Sequence, residues 1–143
     1  MRATTVSQIM TRDPVVAWPS MPVREAAARM AECGVSGLPV VDGLGRVVGV
    51  IADSDLLPEQ RSAPEPAGEE TRAASAGPVV AEVMTMPAAT CSPELTVAGA
   101  AEVMRRTGLH RLVVVGAGGA LLGVVSRGDL AAALRTPQGA RHG

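Results

Sequence analysis

The chain has 143 residues, 47% of them hydrophobic, with a formal net charge of -1. That suffices for one compact core or two half-sized ones, and it offers no positive field to gather a polyanion. Trp18 is the single aromatic residue, so the stacking platforms needed by single-strand binders are excluded too, and nucleic acid is not an expected partner.

In chain order, Met1 to Met10 carries Thr, Ser and Gln where a secretory leader would need an apolar run. Val6-Ser7-Gln8-Ile9-Met10 reads as a short apolar turn, leading to a brief strand around Val15–Trp18. Val23, Ala26, Ala27 and Met30 recur at spacings of three and four, which predicts a helix over Val23–Cys33 with one apolar stripe. Pro22 suits its first turn and Gly34 its end. Two strands, Leu38–Val41 and Val47–Ile51, flank a turn at Asp42-Gly43-Leu44-Gly45, and a last helix begins near Asp53–Asp55. Pro58 to Pro78 is rich in Pro, Glu, Ala, Ser and Gly without apolar periodicity, and reads as an extended linker.

The same succession then returns. A strand is expected at Ala89–Ser92, then a helix with Thr96 as N-cap and Gly108 as stop. Strands from Leu112 flank the turn Gly116-Ala117-Gly118-Gly119, and a helix opens near Gly128–Asp129. Sliding Val6 onto Val80 aligns Val6–Leu57 with Val80–Ala131 without a gap. Identities include Val6/Val80, Met10/Met84, Thr11/Thr85, Val23/Val97, Met30/Met104, Gly34/Gly108, Gly49/Gly123 and Asp55/Asp129. Matches at glycines, prolines and apolar positions in one register mean two copies of a βαββα unit. The expected organisation is therefore repeat 1 at 1–57, a linker at 58–79, repeat 2 at 80–135 and a frayed tail at 136–143.

Other readings weigh less. Leu112 to Val125 is uncharged but too short for a bilayer, which takes about 20 residues, and glycines break it, so no membrane span is expected. Cys33 and Cys91 stand at non-equivalent positions, which suggests reduced, buried, small hydrophobes in a cytoplasmic protein rather than a disulfide framework. The glycines at Gly116–Gly119 fail as a dinucleotide loop, because Leu121 stands where Gly or Ala is needed and a strand follows. His110, His142, Cys33 and Cys91 lack metal-ligand spacing, and a Ser126–His110 hydrolase lacks an orienting acid, so no metal, no required cofactor and no catalytic residue is expected.

The ordered set V-x-x-[IV]-M-T, proline, apolar helix with Met, glycine, [LP]-V-V, G-V-[IV] and D-L, present twice, resembles paired CBS domains, the modules named after cystathionine beta-synthase. The resemblance covers everything except the linker and the tail. It implies an α/β (α+β) fold of two pseudo-symmetric βαββα repeats packed sheet to sheet as one module. It further implies clefts for an adenosyl ligand (AMP, ADP, ATP or S-adenosylmethionine) and, commonly, a homodimer.

The family's ligand motif, G-h-x-[ST]-x-x-[DN], is matched in full by Gly123-Val124-Val125-Ser126-Arg127-Gly128-Asp129. A carboxylate there accepts hydrogen bonds from two ribose hydroxyls, and the serine with the helix N-terminus suits phosphate. The implied main site is Thr90, Leu109, His110, Arg111, Leu112, Ser126, Arg127 and Asp129, with Arg111 and Arg127 neutralising phosphate. The first copy departs, with Ala52 in place of the hydroxyl and Asp53 in place of Arg127. Its weaker site would comprise Val16, Val35, Ser36, Gly37, Leu38, Pro39, Asp53 and Asp55, and anionic ligands are disfavoured there. Ser126-x-x-Asp129 is equally a helix-capping pattern, and one pair can serve both ends.

The expected function is a stand-alone sensor, not an enzyme, whose occupancy is passed to an unidentified effector protein. The alternative is a structural or interaction dimer whose clefts stay empty.

Overall fold

The computed structural model describes residues 3–56 and 77–135. Along them run β1 (Thr11–Arg12), α1 (Val23–Cys33), β2 (Gly37–Val41), β3 (Val47–Ala52), α2 (Val80–Val83), β4 (Thr90–Cys91), α3 (Val97–Thr107), β5 (Arg111–Val115), β6 (Leu121–Ser126) and α4 (Arg127–Arg135). Turns of 3-10 helix lie at Val6–Gln8, Asp53–Asp55 and Ala117–Gly119.

The two long helices form for the reasons their sequences give. α1 buries Val23, Ala26, Ala27 and Met30, and α3 buries Val97, Ala100 and Met104, one stripe each. Thr96 Oγ1 accepts from the Gly99 N–H at 3.0 Å and caps α3, whereas α1 begins after Pro22 without a side-chain cap. Both end on a glycine in the left-handed region, Gly34 at φ 67° and Gly108 at φ 78°, a conformation costly to any residue with a Cβ.

The chain divides into two compact units, and these are not the sequence repeats. One takes residues up to Pro14 together with those from Ala89 onward, and the other is Val15–Ala88. Each repeat has given its leading segment to the other repeat's core.

In the unit that holds Asp129, β5 and β6 pair antiparallel, β4 joins β5 in parallel, and β1 adds to β6 with Thr11 opposite Val124. Val6 and Met10 are buried there among Val97, Ala100, Met104, Leu112, Val114, Val125 and Leu130. The Val6 N–H donates to the Leu95 carbonyl at 2.8 Å, and the Val97 N–H to the Thr4 carbonyl at 2.9 Å.

In the unit that holds Asp55, β2 and β3 pair antiparallel. Single bridges, Ala17 with Val40 and Val50 with Thr85, repeat the four-strand order in abbreviated form. Val80 is fully buried with Ala17, Met21, Val23, Met30, Leu38, Val40 and Ile51. Its N–H donates to the Met21 carbonyl at 2.8 Å, and the Val23 N–H donates to the Pro78 carbonyl at 3.0 Å.

Two repeat glycines explain how the leading segments lie so close. A Cβ on Gly123 would meet the Thr11 carbonyl oxygen at 2.6 Å and Met10 Sδ at 2.7 Å. One on Gly49 would meet the Thr85 oxygen at 2.8 Å and Met84 Sδ at 3.0 Å. The M-T pair of each repeat thus lies across the glycine of the other.

Several sequence expectations change. The strand expected at Val15–Trp18 reduces to the bridge at Ala17, and the helix expected from Asp53 is, within the described residues, a 3-10 turn. Pro78 and Val79, assigned to the linker, are hydrogen-bonded into the Asp55 unit, because Val80 is a core residue and fixes its neighbours. The rest of the linker and the tail at 136–143 lie outside the described residues. Cys33 is exposed, not buried: it is the last residue of α1, beyond Met30, the last buried position of the helix. Cys91 is half-buried, and burial pushes its thiol up from the ordinary value. Both are free.

Candidate functional site

β6 ends at Ser126 and α4 begins at the next residue, so the motif occupies a strand-to-helix turn. The Ser126 N–H donates to Asp129 Oδ2 at 2.9 Å, and the Asp129 N–H donates to Ser126 Oγ at 3.0 Å. This reciprocal closure is a capping box. It fixes both side chains while leaving the hydroxyl proton and the remaining carboxylate lone pairs for another molecule.

The loop before β5 is tied to the same turn. The Arg127 N–H donates to the His110 carbonyl at 2.8 Å, and its guanidinium donates to the Leu109 carbonyl at 3.3 Å. Arg111 stands opposite Ser126 in the β5–β6 ladder. Leu109, His110, Arg111, Ser126, Arg127 and Asp129 are therefore brought together. Thr90 is exposed on β4, opposite Val113 and one strand further along the sheet. Leu112 is 2% exposed, so its side chain belongs to the core and only its backbone borders the turn.

The equivalent turn in the other unit is differently occupied. The Ala52 N–H donates to Asp55 Oδ2 at 2.7 Å, keeping half of the box, and Ala52 has no oxygen to return. The Thr85 hydroxyl donates to Asp55 Oδ1 at 3.1 Å, so both carboxylate oxygens have partners inside the protein. The Asp53 N–H donates to the Ser36 carbonyl at 2.8 Å, matching the tie of Arg127 to His110. Gly37 stands opposite Ala52, while Val35 is exposed. Leu38 and Pro39 are buried, the latter accepting from the Ala17 N–H at 2.9 Å, and Val16 is half-buried beside Ala17.

Thr85 is the contributor missed from the sequence. The signal was present as the identity Thr11/Thr85, but its meaning depends on the exchanged leading segments. Among the described residues no comparable hydroxyl reaches Asp129.

Each unit also has a groove on its helix side. The one in the Asp129 unit, about 450 Å³, shares Arg127 with the expected ligand set. The one in the Asp55 unit, about 410 Å³, shares Val35, Ser36 and Asp53. Among the described residues no group of three or more His, Cys, Asp or Glu could hold a metal ion, and no helix is long and apolar enough to cross a membrane.

The CBS domain model matches residues 6–61 and 80–136. The chain belongs to the CBS-domain family. An uncharacterized 17.7 kDa protein of Acidianus ambivalens is 33% identical over 135 residues, 92% of this chain and 74% of that protein. Among solved structures, CBSX2 of Arabidopsis thaliana in complex with AMP is 31% identical, with a TM-score of 0.76 over 92% of this chain and 96% of that one. A CBS domain pair in complex with 5-methylthioadenosine and S-adenosyl-L-methionine, 22% identical with a TM-score of 0.75, shares the mixed α and β fold; this chain covers 97% of it, and it covers 93% of this chain. Other relatives are longer. The chain spans 62% of an uncharacterized Methanopyrus kandleri protein and 22% of the inosine-5'-monophosphate dehydrogenase of Korarchaeum cryptofilum.

Proposed function

We propose that this CBS pair is a regulatory module that binds an adenosyl ligand at the Ser126–Asp129 turn and passes its occupancy to a partner protein. AMP is the first candidate, with ADP, ATP and S-adenosylmethionine in the same class. The carrying observation is the reciprocal Ser126–Asp129 closure, which holds a carboxylate and a hydroxyl in fixed geometry beside Arg111 and Arg127. A carboxylate with lone pairs to spare suits the two ribose hydroxyls, and the arginines suit phosphate. The AMP complex of the 31% identical CBSX2 supports the ligand class.

The Asp55 turn is proposed as the weaker site. It lacks the hydroxyl, carries Asp53 where phosphate would come, and has both oxygens of its acid engaged. No chemical step is assigned to the chain. A homodimer formed through the helix sides belongs to the same reading, because the alanine-lined grooves allow close approach. A reducing, cytoplasmic setting fits two free cysteines.

Thermal melting with and without each compound tests this. A ligand at a hundred times its Kd stabilises the folded state by about 2.7 kcal/mol, an upward shift of several degrees. No shift with AMP, ADP, ATP or S-adenosylmethionine would overturn the proposal and favour an interaction dimer.

A further inference from the structure

The acids at the two equivalent turns are held by different partners. Asp129 is fixed twice through its own turn, by the reciprocal bonds with Ser126. Asp55 has one such bond, from the Ala52 N–H to Oδ2, and its Oδ1 accepts from the Thr85 hydroxyl at 3.1 Å. Thr85 and Asp55 belong to one compact unit. Thr85 is set in place by its backbone: its N–H donates to the Val50 carbonyl at 2.8 Å and its carbonyl accepts from the Val50 N–H at 3.0 Å, where Gly49 permits the close approach. The bond from its hydroxyl to Asp55 is exposed, so it contributes little to folding and can be exchanged for another donor. Thr11 holds the equivalent position opposite Val124, and among the described residues its hydroxyl makes no bond to Asp129.

We propose that Thr85 is an internal stand-in for a ligand hydroxyl: it occupies the Asp55 oxygen that a ribose diol would use, and so keeps the Asp55 turn closed to nucleosides. This rests on the adenosyl reading above and adds the residue that shuts the second turn. A ribose diol donates to both oxygens of a carboxylate at once. At Asp55 it must first displace the Thr85 hydroxyl, and affinity falls by the net strength of that internal bond. Ala52 removes only a cap, whereas Thr85 removes the acceptor itself. Asp53 stands where the other turn has Arg127 and repels phosphate, so an opened Asp55 turn takes an uncharged nucleoside, adenosine, in preference to AMP.

The test is calorimetric titration of adenosine and of AMP into the full chain as wild type, Thr85→Val, Thr85→Ser and Thr85→Val combined with Asp55→Ala. Valine keeps the β-branched shape beside Val50 and removes the donor, while serine keeps the donor. Thr85→Val is expected to bind one more adenosine per chain than wild type, the Asp55 turn tightening about tenfold. Thr85→Ser should match wild type, and the added Asp55→Ala should abolish the gain, a pattern that a purely structural tie would not give. AMP should gain less than adenosine. Thr85→Ala, which also lacks the donor, should repeat the gain, and melting verifies that each variant is folded. If Thr85→Val binds adenosine as wild type does, or if Thr85→Ser gains the site equally, the closure by Thr85 is overturned, while one AMP bound per wild-type chain leaves the adenosyl reading standing. If wild type and every variant bind neither compound, both are overturned.

Discussion

Gly123→Ala bears most directly on the exchange of leading segments. The added Cβ would stand 2.6 Å from the Thr11 carbonyl oxygen, 2.7 Å from Met10 Sδ and 3.0 Å from Met10 Cγ. An ordinary close C···O approach is about 3.3–3.6 Å, so an opening of about 0.7–1 Å is required. The methionine can turn away, but the backbone oxygen moves only with β1, which is paired to this very position. Either the pairing is strained, at about 1–3 kcal/mol for an overpacked site, or the segment leaves. Its departure uncovers Val6 and Met10, which are 0% and 9% exposed, and costs about 1.5–3 kcal/mol for each. The cheaper route sets the expected loss at about 1–3 kcal/mol, a fall in Tm of roughly 4–10 °C. Amide exchange at Val6, bonded to the Leu95 carbonyl, should accelerate in step. A Tm within about 1 °C of wild type, with Val6 still protected, would refute the proposed packing of Met10-Thr11 over Gly123.

Three further outcomes follow from the fold. Val80→Ala removes two buried methyl groups and should cost about 2 kcal/mol by chemical denaturation, a loss that a linker residue would not show. Thr96→Ala deletes the only side-chain cap of α3 among the described residues and should cost about 1 kcal/mol in the same assay. The Arg46 backbone N–H, helped by the Leu44 N–H and the Arg46 guanidinium, holds the Asp42 carboxyl below its ordinary 3.8. A lowered pKa contributes stability that is present above the ordinary value and is lost as pH falls through the folded value. Asp42→Asn should therefore lower Tm at pH 6 and make little difference near pH 2 in a melting series.

Much of the fold was legible because it is written in local chemistry. The stripe at Val23, Ala26, Ala27 and Met30 fixes α1, and Gly34 and Gly108 end their helices where a left-handed residue is required. The Ser126–Asp129 turn was legible both as a cap and as a ligand motif, and it is closed as a cap. What was not legible is which core each leading segment enters. Val6 and Val80, like Met10-Thr11 and Met84-Thr85, are matched residue for residue, so periodicity fits either core equally well. The choice is made by tertiary register, Thr11 opposite Val124 and Thr85 opposite Val50, which no local pattern encodes. The hydrogen bond from Thr85 to Asp55 was hidden for the same reason, since its partners come from different repeats. Cys33 was misplaced because cysteine is usually buried, whereas this one is the last residue of its helix, beyond the last buried position Met30.

The unequal roles of the two acids are tested most directly by titrating AMP calorimetrically into wild type, Asp129→Ala and Asp55→Ala. The expected result is a loss of about ten- to a hundredfold in affinity for Asp129→Ala, corresponding to a charge-assisted contact of about 1.5–3 kcal/mol. Asp55→Ala should change affinity far less, because Ala52 and Thr85 already hold its carboxylate. Abolished binding in Asp55→Ala with an unaffected Asp129→Ala would contradict the assignment.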